Sequence, residues 1–155
     1  MGTSGGWRDG DPVAWRRFAD LGAMDLELSG HLPEVRVAYE TWGTYNGNNA
    51  VLVQHALTGD AHAAGPTAPG QPTAGWWDDL IGPGKAVDTR RWFVVSSNVL
   101  GGCLGTTGPS SIAPDGRAYG SRWPRITIRD QVAVEVALAD ALGIDHFTAV
   151  MGGSM

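Results

Sequence analysis

The sequence predicts an α/β fold, and three features carry that reading. Two short, continuous apolar runs, residues 50–54 and 92–97, look like strands buried on both faces. A helical pattern near residues 127–142 leads directly into a third apolar run, residues 147–151. Ahead of these, two alternating stretches suggest an antiparallel hairpin. Hairpin, strand, loop, strand, loop, helix, strand is the order expected for the first half of an α/β sheet with right-handed crossovers.

Each element has a local reason. Residues 1–20 are polar and rich in Gly, Arg and Asp, and read as a loosely ordered arm docked by Trp7, Trp15 and Phe18. Residues 24–28 and 35–42 alternate apolar and polar, with a Ser-Gly-His-Leu-Pro turn between them. Residues 45–49 are turn chemistry before the first apolar run. A loop rich in Gly, Pro and Ala then runs to Gly75, and residues 76–81 fit one helical turn. A second long loop follows residue 97 and runs to Pro124. Thr127 is placed to cap a helix, with Asp130 as its capping-box partner. Ile128, Val132, Val136, Leu138 and Leu142 supply an apolar face, and Gly143 a stop.

Composition narrows the class. At 155 residues, one domain is expected. Its 23 glycines are about twice the usual ~7% share, which favours tight loops over a helical bundle. A net charge of −5 argues against nucleic acid as a partner. No apolar run approaches the ~18–20 residues of a membrane span, and the first twelve residues lack the apolar core of a secretory signal. One cysteine, Cys103, excludes an internal disulfide framework and a cysteine zinc site. A reducing cytoplasm is the expected compartment.

The chemistry concentrates at Gly152-Gly153-Ser154-Met155, directly after the last apolar run. Gly152 and Ser154 stand in register with G-x-S-x-G, the nucleophile elbow of α/β-hydrolases, whose fifth position would be residue 156. A serine hydroxyl needs a base and oxyanion donors to act as a nucleophile at neutral pH. The N–H of Met155 is placed as one donor, and the loop 55–59 is placed to supply the second. The acid and base of such a site follow the serine in chain order, yet His31, His55, His62 and His146 all precede Ser154. His31 reads as a solvated turn residue and His146 as a strand-entry residue. His55 and His62 read as structural hydrogen-bonding groups. Alone, Gly-Gly-Ser also fits a flexible turn. Other candidates are poorer: residues 82–85 echo a phosphate loop, but Asp79 and Ala86 stand where its Gly and its Ser or Thr belong. Cys103 reads as a packed or inert thiol, and Asp78 and Asp79 diverge as sequence neighbours.

Residues 49–62, 75–85 and 97–111, with Thr127-Ile128-Arg129-Asp130 and the Gly-Gly-Ser-Met ending, closely resemble homoserine O-acetyltransferases, in order and with matching spacing from about Val35 onward. The resemblance implies the amino-terminal part of an α/β-hydrolase-fold acyltransferase of methionine biosynthesis, with residues 21–155 as part of a single domain. It implies Ser154 as the nucleophile of a ping-pong reaction from acetyl-CoA to L-homoserine, with the N–H groups of Leu57 and Met155 as the oxyanion hole. No bound cofactor is implied; acetyl-CoA enters as the acyl-donor substrate. The catalytic Asp and His, the ligand for the substrate carboxylate, a helical lid and a homodimer interface would lie beyond residue 155, so 155 residues alone are expected to fold poorly and to be inactive. The long loops at 59–75 and 101–124 could wall the site or cover the sheet. A succinyltransferase of the same family, a serine esterase and a non-catalytic interaction module are the alternatives.

Overall fold

The structure is a computed structural model and describes residues 6–154. Its frame is a five-stranded mixed sheet in the order β1-β2-β6-β3-β7. Strand β1 spans Arg17–Asp25, β2 His31–Trp42, β3 Ala50–Gln54, β6 Phe93–Ser97 and β7 Ala149–Gly152. Two short strands, β4 (Ile81–Gly82) and β5 (Val87–Asp88), pair separately. The β1–β2 and β2–β6 pairs are antiparallel, whereas β6–β3 and β3–β7 are parallel.

Alternation along β3 and β6 divides the core into two faces. Leu52 and Val95 join Leu32, Val37, Val134 and Leu138 on one side. Val51, Val53 and Val94 join Ala63, Ala64, Ile81 and Val87 on the other. Both faces are therefore apolar, as expected for parallel strands. The second face is covered by the loop that follows β3, with Trp76 and Trp77 packed against it. Within that cover, the Ile81 N–H reaches the Trp77 carbonyl, which closes the helical turn expected at 76–81. Gly75 is required there, because a Cβ would overlap the Ala64 backbone.

Strand β2 is longer than β6, and its backbone beyond the pairing needs other partners. The loop after β6 supplies them. The Ala38 N–H donates to Thr106 Oγ1 at 2.9 Å, and the Arg36 N–H to Thr107 Oγ1 at 2.8 Å. Leu100 and Trp123 of the same loop pack into the first core face. Both long loops thus act as covers of the sheet.

Two expectations need correction. The first is the arm. Strand β1 begins at Arg17, inside the stretch read as loose, and it ends at Asp25, so that residues 26–28 turn instead of pairing. Residues 6–16 are also held. The Trp7 N–H donates to the Cys103 carbonyl at 2.8 Å, and buried Arg16 donates to Gln71 Oε1 at 3.0 Å. Trp7 stacks at 5.0 Å on Phe18, and Trp15 Nε1 donates to the Pro66 carbonyl. Polar composition hid this order because the anchoring is by long-range hydrogen bonds, which leave no periodic pattern. The start of the arm, residues 1–5, lies outside the described residues.

The second concerns the helix. Helix α1 spans Ile128–Ala141, and the capping box of Thr127 and Asp130 forms as expected. Gly143, at φ 68°, follows the last turn and its N–H reaches the Asp140 carbonyl. The face it buries is Val134, Leu138 and Ala139, however, whereas Ile128, Val132 and Val136 are exposed. These last three lie four apart on a second stripe. A helix with two apolar stripes satisfies the sequence pattern with either one inward, and contact with the sheet selects Val134 and Leu138.

Asp130 ties α1 to the sheet as well as capping it. It accepts from the N–H of Glu27 and from that of Thr127, each at 2.8 Å. Burial alone would push its carboxyl up, but those N–H donors outweigh it and hold the pKa below the ordinary value. Thr127→Ala is expected to cost about 1 kcal/mol. Asp130→Ala should cost more, about 1–3 kcal/mol, because two backbone donors are stranded. Thermal melts of the two variants beside the parent would check the ranking; equal melting temperatures would refute the anchoring role of Asp130.

Candidate active site

Parallel pairing brings the candidate residues to one edge of the sheet. Gln54, the last residue of β3, is in register with Gly152, the last residue of β7. It is also in register with Ser97, the last residue of β6. The chain therefore leaves three neighbouring strands at a common carboxyl end, where α/β sheets place their ligands. Gly152 sits tightly on β3, since a Cβ there would lie 3.0 Å from the Gln54 carbonyl oxygen. Gly153 faces open space.

Ser154 follows with φ 69°. A non-glycine residue in this region carries backbone strain, which gathers at functional turns. Its side is exposed, and it lines a cavity of about 560 Å³ together with Gln54, His55, Val99, Glu135 and Gly153. The exposed stripe of α1, through Val132 and Val136, forms the apolar wall of that cavity with Val150. Met155 lies outside the described residues.

The loop after β3 is a tight turn, with the Gly59 N–H bonded to the Ala56 carbonyl. Leu57 stands at its tip, 77% exposed, and its N–H has no acceptor among the described residues. His55 anchors the start of the turn. Its Nδ1 lies 2.7 Å from the Ala56 carbonyl oxygen, and its Nε2 accepts the Val99 N–H at 3.2 Å. This arrangement calls for the tautomer protonated at Nδ1 and occupies both ring nitrogens. His55 is a structural group, as its position in the sequence suggested.

The other histidines are dispersed. His62 is buried against Glu40, with Nδ1 2.9 Å from Oε2. His31 is the first residue of β2 instead of a turn residue, and it pairs with Asp25 at 2.7 Å. His146 is exposed at the approach to β7 and borders the same cavity as Ser154. None of the four hydrogen-bonds Ser154 among the described residues. Lys85 is turned back onto Asp78, which also accepts the Gly65 N–H, so its ammonium is engaged within the chain. Cys103 is exposed instead of packed. Among the described residues, no cluster of His, Cys, Asp and Glu is arranged to hold a metal ion, and no helix is long and apolar enough to cross a membrane.

Glu135 was not foreseen. It projects from α1 to the sheet edge, where Ser97 Oγ donates to its Oε1 at 2.6 Å and Gln54 adds a further bond. Its Oε2 is buried without a partner among the described residues. Burial pushes this carboxyl above its ordinary value of 4.5, with the Ser97 and Gln54 bonds opposing. An acid on an amphipathic helix gives no sign of this in sequence, since the same letter serves a solvated face.

A raised folded-state pKa means that the contribution of Glu135 to stability is fully present below the unfolded value and is lost as pH rises through the folded one. Glu135→Gln removes the ionisation and keeps the shape. Its melting temperature should equal or exceed the parent's at neutral pH, with the gap closing as pH falls toward 4.5. A variant that melts lower than the parent at neutral pH would contradict the burial penalty on the ionised carboxylate.

No protein-family model matches the chain. The chain is 66% identical to a homoserine O-acetyltransferase of Clavibacter michiganensis, over 99% of its own length and 40% of the relative's. It is 60% identical to a homoserine O-acetyltransferase of Thermobifida fusca, over 99% of its length and 41% of the relative's. Among solved structures, esterase E22 superposes with a TM-score of 0.83 at 39% identity, covering 91% of this chain and 41% of that one. A homoserine O-acetyltransferase from Bacillus anthracis superposes at 0.81 with 34% identity, covering 92% and 40%. The chain thus spans about two-fifths of the curated relatives it matches. Over that span it is homologous to the amino-terminal part of the homoserine O-acetyltransferases and shares the α/β-hydrolase fold of their solved relatives.

Proposed function

We propose that this chain forms the amino-terminal part, with residues 21–155 inside a single domain, of an acyltransferase that moves an acetyl group from acetyl-CoA to the hydroxyl of L-homoserine. The observation that carries the reading is Ser154 at positive φ, on the carboxyl edge of a parallel sheet, lining one cavity with His55, the residue that opens the turn carrying the Leu57 N–H.

The steps follow from that arrangement. The Ser154 hydroxyl attacks the thioester carbonyl, and its proton passes to a base. The tetrahedral oxyanion is held by the N–H groups of Leu57 and Met155. Collapse breaks the carbon–sulfur bond, and the CoA thiol leaves with a proton. The homoserine hydroxyl then attacks the acetyl carbonyl while the same base takes its proton, the acyl–Oγ bond breaks, and the proton returns to Ser154 Oγ as O-acetylhomoserine leaves. None of the histidines described above hydrogen-bonds Ser154, and in this chain order the base and acid follow the nucleophile, so the base and its orienting acid come from the carboxyl-terminal three-fifths that the relatives possess. The ligand for the homoserine carboxylate belongs to that part as well. A cytoplasmic homodimer acting on small molecules alone completes the reading, on the strength of the resemblance.

Esterase E22 supports a second reading, hydrolysis, because this part of the fold superposes on it as well as on a transferase. Transfer is favoured by the higher identities to curated transferases. Water must be kept from the acyl-enzyme for transfer to win. A succinyl donor would use the same serine.

Intact-mass measurement on the full-length protein separates these readings. With acetyl-CoA it should gain the mass of one acetyl group on Ser154, and homoserine should discharge it faster than water does. Ser154→Ala should lose the adduct and reduce turnover by at least about 10⁴-fold. An adduct from succinyl-CoA alone would reassign the donor, and discharge independent of homoserine would make the protein an esterase.

A further inference from the structure

The loop after β3 is irregular from residue 55 to residue 62, so its path is set by side chains and not by a repeating backbone pattern. Three groups pin its far half. The Ala61 N–H donates to Asn98 Oδ1 at 2.9 Å. Asp60 accepts the His62 N–H at 3.0 Å and Gln71 Nε2 at 2.9 Å, and its carbonyl accepts Trp76 Nε1 at 2.9 Å. His62 Nδ1 meets Glu40 Oε2 at 2.9 Å, with both side chains no more than 4% exposed. Glu40 sits in the middle of the β2–β6 ladder, opposite Ser96.

Such a pair is a poor device for stability. Burial pushes the Glu40 carboxyl up, His62 opposing. Apolar residues of similar volume usually serve a core at least as well. Moreover, His62 Nε2 is buried without a partner among the described residues. What the pair offers is direction, since a hydrogen bond fixes an orientation that an apolar contact leaves free. Gly65, at φ 115°, lies beside the ring, where a Cβ would come 3.3 Å from His62 Cε1, so the loop leaves room for the ring only with glycine there. His62 is therefore oriented by Glu40 on β2 and enclosed by its own loop.

We propose that the Glu40–His62 pair is a positioning device for the turn that carries Leu57, holding the far end of the loop while His55 holds the near end. The inference rests on the acyl-transfer reading above. Its consequence is kinetic. The pair acts through the Leu57 N–H on the oxyanion, which exists only in the transition state. Removing the pair should slow acylation and leave thioester binding in place.

The test uses the full-length protein with Glu40→Gln, which keeps an acceptor, and His62→Phe, which fills the space without polar atoms. Single-turnover acylation by acetyl-CoA gives a maximal rate and a half-saturating concentration for each. His62→Phe should lower the maximal rate by about 10–10²-fold, as expected for a displaced donor, with half-saturation unchanged. Glu40→Gln should fall between it and the parent. Parent-like rates in both, or a loss confined to half-saturation, would overturn the proposal. If His62→Phe fails to melt cooperatively, Glu40→Gln decides alone: a slower maximal rate at unchanged half-saturation supports the device, and a parent-like rate overturns it. Ser154→Ala serves as the separate control. Acylation surviving in that variant would overturn the acyl-serine reading itself, whereas its loss beside parent-like pair variants would overturn only the positioning role.

Discussion

The parallel pairing of β3 between β6 and β7 is the constraint on which the rest depends. Its five residues are in register with both neighbours, so three strands end together at Gln54, Ser97 and Gly152. A one-residue slip would exchange Leu52 with Val51 and Val53 between the two core faces. Because both faces are apolar, register is enforced by shape on each side and by the ladders at once. The common edge follows directly. It is why the turn at Leu57, the His55 clamp and the strained Ser154 occupy one end of the molecule.

Around this rigid centre, order is carried by side chains bonding irregular backbone. Thr106 and Thr107 extend the partners of β2 beyond the end of β6. Arg16, Gln71 and Asp60 connect the segment before β1 to the loop after β3. Asn98 links that loop to the one after β6, accepting from Ala61 and donating to the Leu104 carbonyl. The loops of this protein are therefore parts of the buried structure. A site on such loops is held with the precision of the sheet beneath them.

Helix α1 shows a division of labour between its two apolar stripes. Val134 and Leu138 dock on the sheet, and Ile128, Val132 and Val136 wall the cavity beside Ser154. Glu135 lies between the stripes and reaches Ser97 at the sheet edge, the register partner of Gln54. The helix thus contributes a buried polar contact and an apolar wall to the same end of the molecule.

The strand runs at 50–54, 92–97 and 147–151, the Thr127 cap, the Gly143 stop and the Gly-Gly-Ser turn were all legible in the sequence, because each depends on contacts within a few residues or on a short period. The family resemblance was legible for the same reason: long motifs keep their spacing. Tertiary structure decided the rest. Polar residues before Arg17 became an ordered segment through partners some 50 to 90 positions away, at Pro66, Gln71 and Leu104. Which stripe of α1 turned inward depended on the sheet it met. The Glu40–His62 pair and the Glu135 contact joined residues 22 and 38 positions apart. A buried acid and a solvated one are spelled alike, and only the packing around them separates the two.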